Sequence, residues 1–355
     1  MIPRVRLLHE TNPQKYFPAL FALHDQGRIR LTGTHRTSVC KEWLRAGLRD
    51  RAPLARRTAN AVQDASFRIR QHRICGEIIV LGFAPWDVRL LWYQGLARRN
   101  RIVYHTSWPD WHMDRTPRQP PLIRKAMQRR WQRFLAHPNV STVAVLGPVA
   151  DALAQTMQTQ AHVIPHAVAE GFFTPRRARK GGPLKLLFVG ELSVKKGVPQ
   201  MLALLEKLPK DAVTLTTIGR GPLETQLPAN VIHLGAVQDR AQLARHMADH
   251  DVLLSLSQRT ATWEELFGLV IAEALATGCG VIASDHIGPR AILQDAPGLV
   301  AEHDQPAVAR LLQSFITSPD ALYRFRAAQK PKATPFALPR IAARWDALFQ
   351  ELAHA

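Results

Sequence analysis

Cysteine is scarce in this sequence, with three residues in 355: Cys40, Cys75 and Cys279. They are scattered and form no CxxC pair, which argues against a disulfide framework and against a structural zinc site. No run of about 18 apolar residues occurs, so no membrane-spanning helix is expected. The opening "MIPRVRLLHETNPQKYF" lacks the apolar core of a signal peptide and turns polar at once, so a cytoplasmic location is expected. Glycine is missing from "HETNPQKYF" (9–17), which follows the first expected strand. Acid is what the first half lacks most. Residues 1–180 hold 30 Lys+Arg against 11 Asp+Glu, whereas 181–355 hold 17 of each, so the whole formal excess of +19 lies in the first half. A surface so one-sided is drawn to something anionic: lipid headgroups, a phosphorylated acceptor or nucleic acid. The plainer alternative is a merely soluble basic surface.

The apolar residues that are present alternate short runs with longer amphipathic stretches, the pattern of α/β domains built on parallel sheets. In the first half, 5–9, 78–82, 101–106 and 142–147 read as strands, and 13–26, 85–99 and 148–159 as helices. The Arg- and Ala-rich segment 36–74 reads as mostly helical. Turn residues, a basic run and Gly-Gly-Pro in "EGFFTPRRARKGGP" mark a linker, placed at 171–183. It separates a first domain, 1–170, from a second, 184–335. Strands are expected in the second at 184–190, 212–219, 231–235, 252–257 and 280–284, with helices at 196–208, 239–249 and 268–277. A last helix, 341–353, follows a Pro-rich connection and is expected to pack back on the first domain.

Parallel sheets bind ligands where strand ends lead into helix starts. Three such loops in the second domain carry unusual chemistry. "VGELSVKKG" (189–197) sets Lys195 and Lys196 where a helix opens, a position that disfavours cations unless an anion is near. "IGRGPL" (218–223) is a tight Gly-x-Gly-Pro turn. "EELFGLVIAE" (264–273) sets Glu265 and Glu273 eight residues apart around an apolar run. An unpaired buried carboxylate costs several kcal/mol, roughly a protein's margin of stability, so these groups either face water or have partners. Glu273, among alanines, wants hydroxyl donors: a ribose diol or a buried structural bond would serve. Glu265 lies in a loop and could be simply exposed.

"FVGELSVKKGVPQML", "TIGRGPLETQL", "VIHLGAV" and "EELFGLVIAEALATGCGVIAS", in that order, resemble the nucleotide-sugar domain of GT-B glycosyltransferases, family 4. "VIPHAVAEGFFTP" (163–175) looks like the same family's crossing into its second domain. The resemblance implies a GT-B α/β fold, two Rossmann-like domains facing across a cleft. It implies that Glu273 binds the ribose hydroxyls and that Glu265 sits beside the donor sugar. The backbone of Phe267, Gly268 and Leu269 would cradle phosphate and sugar. Lys196 would offset charge on the departing diphosphate, with Gly190 in the same loop and no metal or other cofactor required. Two residues depart from the family pattern. Glu191 stands where an arginine is usual, so Lys195 or Arg220 is expected to supply the missing cation, and Leu266 replaces a common glycine.

The first domain resembles the family less. "IVYHTSWPDW" (102–111) ends a strand in His105, expected to contact donor sugar or acceptor, although a lone histidine is often only structural. In "PPLIRKAMQRRWQRFLAHP" (120–138), Ile123, Met127, Trp131 and Phe134 recur at helical spacing. Arg124, Lys125, Arg129, Arg130 and Arg133 fill much of the rest, the composition of a helix lying on an anionic membrane. The alternative is a helix whose apolar stripe packs on its own sheet.

The expectation is a retaining glycosyltransferase. It would move a hexose from a nucleotide-sugar such as a UDP- or GDP-hexose to a lipid-linked or anionic acceptor. The setting would be cell-surface polysaccharide or glycolipid synthesis, at the inner face of the plasma membrane. The alternatives are a glycosyltransferase acting on nucleic acid, for which no recognition motif appears, and a non-catalytic basic binding protein on the same scaffold.

Overall fold

A computed structural model describes residues 2–9, 13–36, 54–87, 89–111, 121–173 and 181–354. Most of the linker expected at 171–183 (174–180), Cys40 and the first part of the Arg- and Ala-rich segment (37–53) lie outside the described residues. Chain contacts divide the protein into two units, Met1–Ala167 with Pro339–Ala355, and Val168–Leu338.

The first unit is built on six described parallel strands: β1 (Arg4–His9), β2 (Arg30–Arg36), β3 (Ile78–Gly82), β4 (Arg101–Thr106), β5 (Val140–Ala144) and β6 (Ala161–Val163). Their order across the sheet is β2-β1-β3-β4-β5-β6. β3, "IIVLG", is buried throughout, which is why it reads as a continuous apolar run. β2, "RLTGTHR", is a polar edge strand that sequence reading did not find. Glu77, 4% exposed, ties this edge together by accepting from Arg4 (3.0 Å), Arg6 (2.7 Å) and Thr32 (2.9 Å).

Two expected helices differ from expectation. The stretch 13–26 is two helices, α1 (Pro13–Tyr16) and α2 (Pro18–Asp25), because Phe17 precedes a proline and leaves the helical region. The stretch 85–99 is not one helix. Pro85 and Trp86, the latter at φ +64°, delay helical structure, after α3 (Leu54–Arg70), until the short α4 (Leu90–Tyr93) and a 3₁₀ turn, Gln94–Arg98. In α5 (Pro121–Leu135) the apolar stripe packs only at its C-terminal half. Trp131 and Phe134 are buried there, Trp131 against Trp86 (6.2 Å) and Trp111 (5.8 Å). At the other end Leu122 is 83% exposed and Ile123 53%. α6 (Gly147–Met157) follows β5, whose pairing stops at Ala144.

The second unit repeats the plan with β7 (Leu184–Val189), β8 (Val213–Ile218), β9 (Val231–His233), β10 (Val252–Ser255), β11 (Gly280–Ser284) and β12 (Leu299–Val300), in the order β12-β11-β10-β7-β8-β9 and all parallel. Its helices are α7 (Val198–Leu205), α8 (Arg240–Asp249), α9 (Leu269–Thr277), α10 (Ile287–Leu293), α11 (Gln305–Thr317) and α12 (Pro319–Gln329). Sequence reading placed no element over 287–329. The core runs from Leu186 and Phe188 through Leu254 and Ile282 to Phe315 and Phe325. α9 is buried at every residue from Ile271 to Thr277, so it is apolar on nearly all sides.

The last helix, α13 (Leu338–His354), starts three residues earlier than expected. It packs in the first unit, where Trp345 meets Phe17 (6.1 Å) and Asp346 pairs with Arg28.

Candidate functional site

At the carboxyl ends of β7, β8 and β9 the loops are laced main chain to main chain. Gly190 N–H donates to the Ile218 carbonyl (2.9 Å), Leu192 N–H to that of Arg220 (3.0 Å) and Gly219 N–H to that of Gly235 (2.8 Å). Two glycines make this closeness possible. A Cβ on Gly219, at φ +141°, would fall 1.8 Å from the Gly190 carbonyl oxygen. One on Gly197, at φ +76°, would fall 1.8 Å from that of Leu256.

On this frame Lys196 pairs with Glu265 at 2.5 Å, its ammonium 4.8 Å above the ring of Trp263. Lys195 lies over the same ring at 5.6 Å and pairs with Glu191 at 2.8 Å, a bond that holds the Glu191 carboxyl below the usual carboxylate range. Arg220 pairs with Glu224 at 3.5 Å. The residue found in place of the expected arginine thus engages one of the two cations expected to compensate for it.

The two acidic neighbours of the Glu-Glu pair part ways. Glu264 is 3% exposed and accepts from Arg259, which also reaches Glu302 at 2.7 Å. Glu265 is held by its backbone. Its N–H donates to His286 Nδ1 (3.0 Å), and its carbonyl accepts from Gly288 N–H (3.0 Å). With Nδ1 accepting, the imidazole proton sits on Nε2, which donates to the Ser257 carbonyl (3.1 Å). Burial keeps the His286 pKa below the ordinary histidine value, so the neutral ring that this pattern needs is favoured.

Past Phe267, which packs edge-on to Phe336 (5.8 Å), Gly268 caps α9 at φ +80° and Leu269 opens it. Glu273 follows one turn on, 1% exposed, and its carboxylate meets the guanidinium of Arg240. Sequence reading left open a ribose diol or a buried structural bond there; the structure pairs Glu273 with a cation from α8. Arg240, Trp263, Arg259 and His286 were all missed. Trp263, two residues ahead of Glu265, was the one local signal available.

His105 lies in the other unit, at the end of β4, 5% exposed among Phe17 (4.8 Å), His166 (5.3 Å) and Trp345 (6.0 Å). Burial first, then His166 and His9, push its pKa well below the ordinary value. The ring is therefore neutral near pH 7 and can exchange hydrogen bonds, not supply charge. His166 Nδ1 donates to the Tyr16 carbonyl (3.2 Å), and burial, opposed by that bond and aided by His9 and Lys15, lowers its pKa to about 4. His9 itself, at the end of β1, lies across Gly82, where a Cβ would fall 2.0 Å from its ring. The glycine absent after β1 thus has a counterpart on β3. Among the described residues no group of three His, Cys, Asp or Glu is placed to hold a metal.

The family model of glycosyl transferases group 1 matches residues 172–332. A glycogen synthase of Mycobacterium tuberculosis is 31% identical over 171 residues, which are 46% of this chain and 41% of that protein, so the match spans less than half of either. Among solved structures, Anabaena Alr3699/HepE in complex with UDP has a TM-score of 0.66 at 17% identity, covering 99% of this chain and 100% of that one. Sucrose-phosphate synthase from Thermosynechococcus elongatus has a TM-score of 0.69 at 18% identity, covering 99% of each. WaaG, a glycosyltransferase involved in lipopolysaccharide biosynthesis, has a TM-score of 0.65 at 14% identity, covering 98% of this chain and 99% of that one. The fold is that of GT-B proteins, two Rossmann-like units on parallel sheets.

Proposed function

We propose that this chain, whose residues 172–332 are a glycosyl transferases group 1 domain, transfers a hexose from a nucleotide-sugar to an acceptor with retention of anomeric configuration. The observation that carries the reading is the loop from Glu265 to Glu273. It sets a carboxylate clasped by Lys196 before a glycine-capped helix, and a second, buried carboxylate one turn inside it. Glu273 binds the ribose hydroxyls, and Glu265 the donor sugar. The backbone N–H groups at Gly268 and Leu269 face the phosphates, where the helix start favours negative charge. Glu265 pairs with Lys196. A diphosphate draws that ammonium toward itself, and Lys196 then offsets the charge that grows on the leaving group, with no metal needed. UDP bound to Anabaena Alr3699/HepE supports a uridine nucleotide as the first donor to test.

For the acceptor, a lipid-linked or otherwise anionic molecule at an anionic membrane surface fits the basic first unit. Leu122 and Ile123 stand exposed on α5 beside Arg124, Lys125, Arg129 and Arg130, the pairing of apolar and cationic groups that binds bilayer interfaces. No described helix is long and apolar enough to cross a membrane. The cell-surface polysaccharide or glycolipid role and the inner plasma-membrane location belong to this same reading.

The donor half is tested by calorimetric titration with UDP, GDP and ADP and by slow hydrolysis of their sugar conjugates. Binding that Glu273→Ala weakens, with turnover that Glu265→Gln reduces, is expected. Absence of both binding and hydrolysis would overturn it. Flotation with phosphatidylglycerol vesicles tests the acceptor side. Salt-sensitive DNA binding without flotation would favour a nucleic-acid acceptor instead.

A further inference from the structure

α8 begins with Arg240, a cation on the first residue of a helix, where the macrodipole opposes it. Two contacts keep the guanidinium there. One edge meets the Glu273 carboxylate, and one face lies 4.8 Å over the ring of Phe172. Glu273 and Phe172 are each 1% exposed, while the Arg240 side chain is 43% exposed. A planar group that stacks on one partner and donates to another fixes the second in direction, which a lysine ammonium cannot do. The helix start itself is satisfied separately, Asp239 accepting from Ala241 N–H (2.9 Å), so capping does not explain Arg240.

We infer that Arg240 is a positioning residue that braces the Glu273 carboxylate toward the ribose diol and so sets the preference for ribo- over dideoxyribonucleotides. The inference rests on the reading of Glu273 as the ribose acceptor. Stacked on Phe172, Arg240 holds one oxygen of the Glu273 carboxylate. The carboxylate then meets the two ribose hydroxyls in a fixed orientation, with no reordering on binding.

The test measures affinity for UDP, GDP and ADP, and then for the 2′,3′-dideoxy analogue of whichever binds. The proteins are wild type, Arg240→Ala, Arg240→Lys, Glu273→Gln and the Arg240→Ala/Glu273→Gln double variant. Arg240→Ala is expected to weaken the ribonucleotide about 10-fold or more and the dideoxy analogue less than about 2-fold, with Arg240→Lys between. In the Glu273→Gln background Arg240→Ala should add nothing. A merely structural role would lower both affinities together. If wild type binds none of the three nucleotides, the donor reading and this inference fall together. If Glu273→Gln weakens the ribonucleotide but Arg240→Ala leaves the ribose preference intact, or tightens binding, only the brace falls.

Discussion

Acidification should destabilise the first unit through His166 by an amount that follows from its burial. Its folded pKa of about 4 lies below the ordinary 6.5, so between these values the unfolded chain binds more protons than the folded one. The stabilising contribution is therefore fully present above pH 6.5 and is lost as pH falls toward 4. At pH 5 an unfolded histidine is almost wholly protonated and the folded one about a tenth so. This amounts to about 2 kcal/mol lost relative to pH 7.5, and about 3 kcal/mol once pH is below 4. His105 shifts in the same direction, and His9, Lys15 and the Tyr16 carbonyl are the other groups acting on His166. His166→Asn isolates the effect, because asparagine can donate to the Tyr16 carbonyl and does not titrate. Urea unfolding of both proteins at pH 7.5 and 5.0, followed by tryptophan fluorescence, gives the comparison. Wild type should lose about 2 kcal/mol more than the variant between the two pH values. Equal losses would refute the picture of a buried, neutral His166.

Three further outcomes follow from the second unit. Gly219→Ala places a Cβ on the Gly190 carbonyl and should lower that unit's calorimetric midpoint by roughly 5–10 °C, whereas an unchanged midpoint would mean the loops are not laced as described. His286→Phe removes the acceptor for Glu265 N–H and the donor to Ser257, costing about 1–3 kcal/mol, and should lower kcat while nucleotide affinity holds. An equal loss of both would make His286 a general scaffold residue. Lys196→Met should cut donor turnover about 100-fold while circular dichroism and thermal midpoint stay near wild type, and full turnover would exclude the proposed role at the leaving group.

The second unit as far as β11 was the more legible part of the fold, for a physical reason. Its central strands are buried on both faces and read as apolar runs, closed by glycines that the tight loops require. β2 escaped notice because an edge strand can be polar, and "RLTGTHR" is; Glu77, which accepts from Thr32, and Arg6, which pairs with Gly33, are far away in sequence. The helix over 85–99 was over-read because its composition is helical while Pro85 and the left-handed Trp86 are not. In the site, Lys196 and Glu265 could be named from their motifs, but that they touch could not. The Arg240–Glu273, Arg259–Glu302 and His286–Glu265 contacts join residues 21 to 43 positions apart. Such pairings have no period and leave no local pattern.

The lacing of the loops after β7, β8 and β9 has an evolutionary consequence. Its bonds run between peptide groups, and the glycines at 219 and 221 keep side chains out of the contact, as Gly197 does against Leu256 beyond β10. The side chains of Glu191, Lys195 and Arg220 are 44%, 41% and 72% exposed and pair with one another or with Glu224, taking no part in these main-chain bonds. Variation at those three positions can therefore be explored by drift or by library without moving the main chain, provided the three glycines stay fixed. Glu191→Arg would then be a change of occupant on an unaltered mount. Under the proposed function, donor preference could then be retuned one side chain at a time.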